Sequence, residues 1–346
     1  MNAEAGSACP RGLPSLGGPV DILSLLGGGW IDADTSLDAR LLAHWQEGLP
    51  LCERPFEAIA AACGCEEREV LQALRRMVAQ GLIAHVGAVL TPAAFGASTL
   101  VGLKVEPRHA DAMAGYLCLL PEIARADLRE HEYNLWFVLS ADTRQRLDAS
   151  LAQIRGAVPG ELLDLPLREL YQRETSDQVR TVRFDRLHVL PSLSEGRLLG
   201  ALRDSLPLVP RPFARLGMRA DMGETQVLRT LGRWLANGAI RRLGLVLRPR
   251  LLGAAASAMC AWGVEEGEAR AAGQRLAALP QVRLVYRRAP QPGWPYNLYC
   301  GIHANGPAGL EETRLALARA AGLAQAPSAL MPLRRHCRRQ EGRRPL

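Results

Sequence analysis

Apolar residues first recur at helical spacing, then switch to the alternating rhythm of strands, and the chain runs through this change twice. Val70, Leu71, Leu74, Met77 and Val78 fall on one face of a helix expected from about Glu66 to Gln80, ended by Gly81. Before it, Ser36 is placed to cap a helix running to about Glu47, and a short helix follows Pro55. Three short helices followed by IAHVGAV predict a helix-turn-helix unit with a small β-wing. Next come strand STLVGLKV, helix HADAMAGYLCLL, strands EIARADL and NLWFVLS, helix TRQRLDASLAQI and a last strand near LLDLP. That order, βαββαβ, is ferredoxin-like.

Sliding the sequence by 157 positions superimposes the pattern on itself without a gap: Arg54, Pro55 and Phe56 meet Arg211, Pro212 and Phe213, and Gly81, Ile83 and Gly87 meet Gly238, Ile240 and Gly244. Farther on, Tyr133 meets Tyr296, with extra residues in APQPGW before the second Tyr-Asn-Leu. The expected fold is α+β, a tandem duplication in which each copy is a winged helix-turn-helix unit followed by a ferredoxin-like domain. The boundaries read as a flexible extension (1–34), winged unit (35–98), ferredoxin-like domain (99–172), polar linker (173–192), second winged unit (193–255), second ferredoxin-like domain (256–335) and basic tail (336–346).

Composition narrows the class. With 346 residues and 48% hydrophobic content the chain can fill several cores. No run approaches the roughly 20 apolar residues of a membrane helix, and the first residues lack a basic start and a long apolar segment, so the cytoplasm is the expected address. Eight cysteines without a CxxC pair suit neither a zinc knuckle nor a disulfide framework; no metal site of the protein's own is expected. The net charge of +7 invites a nucleic-acid reading, yet residues 331–346 alone hold six arginines against one glutamate. Lys104 is the sole lysine, and arginine is the cation that grips carboxylates bidentately.

A winged helix joined to a ferredoxin-like domain resembles the Lrp/AsnC family, which implies a DNA-binding regulator. The helix that would enter the major groove, however, begins with Glu66, Glu67 and Glu69, and its counterpart with Asp221 and Glu224. Carboxylates there repel phosphates while favouring the helix dipole, so both units read as scaffolds that no longer bind DNA.

GAVLTPAAFGASTLVGLKV, REHEYNLWFV, YRRAPQPGWPYNLYCGIH and MPLRRHCRRQEG together resemble the siroheme decarboxylase family in its fused D/L-type form, over about residues 36 to 341. The resemblance implies loss of the acetate carboxyl groups at positions 12 and 18 of siroheme, giving 12,18-didecarboxysiroheme for haem d1 biosynthesis, in some members with separate partner subunits. The chemistry needs an electron sink and a proton donor. The conjugated macrocycle is the sink, so no cofactor is expected, the iron entering as part of the substrate. Siroheme carries eight carboxylates, for which Arg125, Arg129, Arg287 and Arg288 are the candidate partners. His131 is the first candidate for general acid, with Glu130 or Glu132 raising its proton affinity, and His303 the second; either has equally the chemistry of an axial ligand to the substrate's iron. Tyr133 and Tyr296 suit a carboxylate hydrogen bond, proton transfer or packing. Asn134 and Asn297 suit substrate binding or the backbone at the start of their strands. Trp294, opposite His131 in the alignment, joins the substrate-binding set, and Ser140 lies opposite His303. Such complementary divergence suggests an internal pseudo-dimer with one ligand between unlike surfaces, and is compatible with a homo-oligomer. A non-catalytic tetrapyrrole-binding protein is the competing reading. His44, His85, His109, His188 and His336 read as structural or solvated.

Overall fold

The computed structural model describes residues 36–45, 48–158, 160–173, 178–184, 191–202, 205–247, 256–282 and 284–338. The expected extension at 1–34, His188 and the tail beyond Arg338 lie outside them. Helix α1 (Leu37–His44) is capped as its sequence suggests, the Ser36 hydroxyl accepting the Ala39 N–H at 3.2 Å. Helix α2 (Pro55–Cys63) opens on proline and ends at Gly64, whose φ of +64° continues the chain where a side chain would be strained. Helix α3 (Glu67–Ala79) starts with a reciprocal capping box between Glu66 and Glu69 and buries Val70, Leu71, Leu74 and Met77.

Then follow β1 (Ile83–Leu90), β2 (Ala97–Leu103), α4 (Pro107–Leu117), β3 (Ile123–Arg129), β4 (Leu135–Ala141), α5 (Arg144–Ala157), β5 (Leu162–Arg173) and β6 (Val179–Arg183). The second half repeats the order with α6 (Leu193–Leu202), α7 (Pro212–Ala220), α8 (Glu224–Ala236), β7 (Ile240–Leu247), β8 (Ala256–Trp262), α9 (Ala269–Ala278), β9 (Leu284–Arg288), β10 (Leu298–Ala304), α10 (Pro307–Ala320) and β11 (Ser328–Arg338).

These elements do not collect into successive domains. One compact unit joins the two helical segments, residues 1–91 and 190–253; the other joins the two alternating segments, 92–189 and 254–346. The expected wings are corrected accordingly. Each helical segment supplies a single strand, and β1 pairs antiparallel with β7 around Gly87 opposite Gly244, so each satisfies its backbone through the other. The expected linker is corrected too: β5 runs on to Arg173, and β6 pairs back onto it from Glu169 opposite Arg183 to Arg173 opposite Val179. Likewise, His336 and Arg338 of the expected tail belong to β11.

In the second unit the strand order is β2-β4-β3-β11-β8-β10-β9-β5-β6, and a further β2–β5 pairing closes eight strands into a ring. The last strand of each half crosses to the other: β11 pairs with β3 after leaving β8, and β5 pairs with β9 after leaving β2. Alternation sorts the side chains. Ala126, Leu128, Leu135 and Phe137 pack in one core with Leu117 and Leu151 of α4 and α5, and Cys260, Val285, Leu298 and Cys300 in another with Leu276 and Leu317 of α9 and α10. Leu100, Trp136, Leu163, Leu165, Ala261, Tyr299 and Met331 fill the opposite face, inside the ring.

Glu169 is buried on the helix side, 3.0 Å from Arg287, 2.5 Å from Arg270 of α9 and hydrogen-bonded by the Tyr171 hydroxyl. Burial favours its neutral form, but these donors outweigh burial and hold the carboxyl down at about 2. Its contribution to stability is therefore complete above its unfolded value near 4.5 and lost as pH falls towards 2. Glu169→Gln should lower stability at pH 7 by roughly 3 kcal/mol, as for other broken buried pairs, and remove much of that acid-side loss, measured by chemical denaturation across pH.

Candidate active site

The two Tyr-Asn-Leu segments anchor their turns identically. The Asn134 amide accepts from Val105 N–H (3.1 Å) and donates to Val105 C=O (2.8 Å); Asn297 does the same with Val264 (3.0 and 2.7 Å). Both carboxamides are thus committed to backbone, the structural alternative of their two expected roles. Pinned in this way, each turn presents its preceding residues inside the ring. In the second, Pro292 and Gly293 (φ +75°) form the centre of a reverse turn closed by Trp294 N–H on Gln291 C=O at 2.9 Å. The extra residues of that copy therefore serve to present Trp294.

Trp294 is the hub. It is 2% exposed, and around it stand His131 (ring centroids 5.4 Å away), Tyr133 (5.2 Å), Trp136 (5.6 Å) and Tyr296 (4.8 Å). Its indole N–H donates to the Tyr299 hydroxyl at 2.7 Å, which donates to Tyr296 C=O at 2.8 Å. Trp136 is tied in the same manner, its indole donating to Tyr133 C=O at 2.7 Å.

His131 is half-buried, and its Nδ1 accepts the Tyr133 N–H at 3.2 Å, which puts the proton of the neutral ring on Nε2. Glu132, 3.2 Å from Lys104, raises its proton affinity as expected, but burial lowers it by more, so the net shift is downward. The Tyr133 hydroxyl donates to Glu161 at 2.9 Å, and burial together with that carboxylate pushes it up to about 12.

The four candidate arginines separate. Arg129 and Arg288 share the inner face and hold equivalent positions, each donating to a carbonyl on the crossing strand of the other half: Met331 at 3.1 Å and Leu165 at 2.7 Å. Their counter-charges differ. Arg129 lies 3.0 Å from Asp127, whereas Arg288, 8% exposed, sits 5.6 Å over the Tyr286 ring and, among the described residues, has no carboxylate at ion-pair distance. Burial pushes Arg288 down to about 10, leaving it a cation at neutral pH. Arg287 points the other way, to Glu169 and Glu266, and the exposed Arg125 caps Asp127 at 3.0 Å. His303 is exposed near the far end of β10, five positions from Leu298 and hence roughly 17 Å along the strand, apart from the aromatic cluster.

Sequence reasoning passed over Tyr299, Glu161 and Asp127. Only Asp127 left a signal, standing two residues before Arg129 on a strand and so on the same face. Among the described residues no group of three or more histidine, cysteine or carboxylate side chains forms a metal site, and no helix is long and apolar enough to cross a membrane.

A family profile described as the siroheme decarboxylase NirDL-like HTH domain matches residues 38–83 and again 195–241, and one for an AsnC-like ligand binding domain matches 251–336. The siroheme decarboxylase NirDL subunit of Paracoccus pantotrophus is 37% identical over 314 residues, 88% of this chain and 96% of the relative. The chain belongs to the siroheme decarboxylase family. The NirD subunit of Pseudomonas aeruginosa is 44% identical over 135 residues, 39% of this chain and 90% of that one. The crystal structure of the siroheme decarboxylase NirDL superimposes with a TM-score of 0.63 at 25% identity, covering 84% of this chain and 88% of that chain. In this siroheme decarboxylase family member the histidine of REHEYNLWF and the tryptophan of WPYNLYC, far apart in sequence, are in ring contact.

Gly102 marks how tightly the cluster is packed: a Cβ there would lie 2.9 Å from the Trp136 ring. Gly102→Ala should displace that indole, shift the tryptophan emission and cost about 1–3 kcal/mol of stability, read by fluorescence and denaturant titration.

Proposed function

We propose that the chain is a siroheme decarboxylase that removes the carboxyl groups of the acetates at positions 12 and 18 and yields 12,18-didecarboxysiroheme for haem d1 synthesis. The observation that carries this reading is the contact of His131 with the Trp294 cluster, on the inner face that also carries the buried Arg288, which among the described residues has no carboxylate at ion-pair distance. As carbon dioxide leaves, the electron pair stays on the carbon attached to the pyrrole and spreads into the substrate's macrocycle. The protein must then orient the acetate and deliver a proton, completing a methyl group.

Arg288 is the anchor for a substrate carboxylate, because its guanidinium is buried and, among the described residues, no carboxylate lies at ion-pair distance from it. His131 delivers the proton from Nε2. In the free chain burial keeps it neutral at pH 7; the carboxylates that arrive with siroheme raise its proton affinity, so the acid is assembled together with its substrate. Tyr133, bound to Glu161, keeps its proton and orients rather than ionises. Trp136 and Trp294, each 2% exposed, form the apolar wall against which the His131 ring is held.

The same reading takes the chain as a tandem duplication whose halves form an internal pseudo-dimer. The twice-matched helix-turn-helix profile, the paired Asn134 and Asn297 anchors and the half-length relative support it. The helical unit serves as scaffold. Glu67 and Glu224, at the helix starts that would face phosphate, are instead ion-paired with Arg54 and Arg211. Half-length relatives named as subunits make a complex with such partners the alternative to a self-sufficient chain.

Anaerobic incubation with siroheme and mass spectrometry of the extracted pigment should show loss of two carboxyl groups; bound but unchanged siroheme would mark a binding protein. His131→Ala should bind siroheme normally yet turn over on the order of a hundredfold more slowly. In the wild-type chain kcat/KM should fall as pH rises through a midpoint below the ordinary histidine value of about 6.5, since the protonated ring is the active form; a pH profile flat between 5 and 8 would remove His131 from that role.

A further inference from the structure

β5 and β11 hold corresponding places in the ring. Leu167 of β5 stands opposite Arg288, and Leu333 of β11 opposite Arg129; then Glu169 stands opposite Arg287 and Arg335 opposite Leu128, Leu170 opposite Tyr286 and His336 opposite Asp127. The two strands differ on their other edge. From Glu169 to Arg173 that edge of β5 is covered by β6. Among the described residues, β11 from Arg335 to Arg338 pairs with β3 alone. One row of backbone N–H and C=O groups is thus left without a ladder, the form of a site that takes an added strand.

Side-chain burial follows the same division. The Glu169 side chain keeps 4% of its surface and Leu170 and Tyr171 are buried, whereas Arg335 keeps 58% and His336, held at 2.8 Å by Asp127, is exposed. The overlying helices differ in step. Gln274 of α9 reaches Thr181 of β6 at 3.3 Å; its counterpart in α4, ten positions after the valine that holds the asparagine of each half, is Gly115, and nothing lies within 4 Å of the place its Cβ would take. Charge supplies the third contrast. Glu169 is met by Arg270 of α9 at 2.5 Å and by Arg183, directly opposite on β6, at 3.8 Å. In the other half the signs are exchanged, Arg335 standing in the place of Glu169 and Asp111 of α4 meeting it at 2.9 Å. Among the described residues nothing stands where Arg183 would, and the exchange predicts its sign: a carboxylate opposite Arg335.

We propose that the outer edge of β11 is a docking site for an acidic, extended segment of a partner protein. The segment adds as an antiparallel strand, in the place that β6 takes on β5, with a carboxylate opposite Arg335 and its side chains filling the space beside Gly115. A second copy of β11 fits poorly there, because it brings Arg334 and Arg335 against the same arginines, and like charges facing across strands are unfavourable. Arginine along an edge also keeps strands from pairing indiscriminately, so the residues that admit an acidic segment turn neutral and basic ones away.

The test uses the full chain and two synthetic heptapeptides: QVRTVRF, the sequence of residues 178–184, and QVETVEF, in which both arginines are replaced by glutamate. Followed by the anisotropy of a fluorophore on each peptide, QVETVEF should bind about tenfold or more tightly than QVRTVRF, and the difference should shrink as salt is added. Hydrogen exchange read by mass spectrometry should show QVETVEF slowing the amides of residues 333–338 and leaving those of β5 unchanged. Arg335→Gln should cut the preference for QVETVEF several-fold; because exchange is read in the wild-type chain, the test stands even where that variant fails to fold. Equal binding of the two peptides, or slowed exchange elsewhere, would overturn the proposal. Failure of QVETVEF to bind would overturn it as well, and amides already slow in the free chain would then assign the edge to a segment of the chain itself. A dimer of the chain that QVETVEF dissociates would give the edge to a second copy instead.

Discussion

The exchange of terminal strands between the halves is the constraint on which the site depends. β5 and β11 each begin in the sheet of their own half and end in the other, and these two crossings close the ring. Backbone hydrogen bonds along four ladders fix the register, and a slip of one residue would turn every inner side chain towards the helices. Because the register is fixed, Arg129 and Arg288 find carbonyls of the opposite half, and the turns that carry His131 and Trp294 meet.

Pseudo-equivalence makes the differences between halves informative. Where the halves agree, as in Asn134 and Asn297, the residues hold backbone and explain the fold. Where they differ, as in His131 against Trp294 or Asp127 against Tyr286, the fold tolerates either side chain. At these two positions the first half carries an ionisable side chain and the second an aromatic one.

The helical unit shows the opposite economy. Its helices keep the caps, buried faces and positive-φ turn of a helix-turn-helix, while the acidic residues at the starts of α3 and α8 are used up in capping and ion pairs. Its two single strands satisfy one another, and the ladder that results belongs to both halves at once.

Local physics made much of this legible in the sequence. Period-3.6 and period-2 spacing located the helices and strands, capping residues set their ends, the 157-residue offset showed the pattern of elements recurring, and the two Tyr-Asn-Leu segments marked a pair of equivalently anchored turns. What depended on distance along the chain was invisible. No propensity says that β1 pairs with β7 instead of forming a wing, that Val179–Arg183 of the expected linker pairs back onto β5, or that Arg287 and Arg288 face opposite sides of the sheet. The lowered proton affinity of His131 follows from burial, and the contact between His336 and Asp127 from a strand pairing across more than two hundred residues. The sequence by itself determined the elements and named the candidate side chains. Tertiary structure decided which of them meet, because long-range pairing, register and desolvation arise only when the halves close on one another.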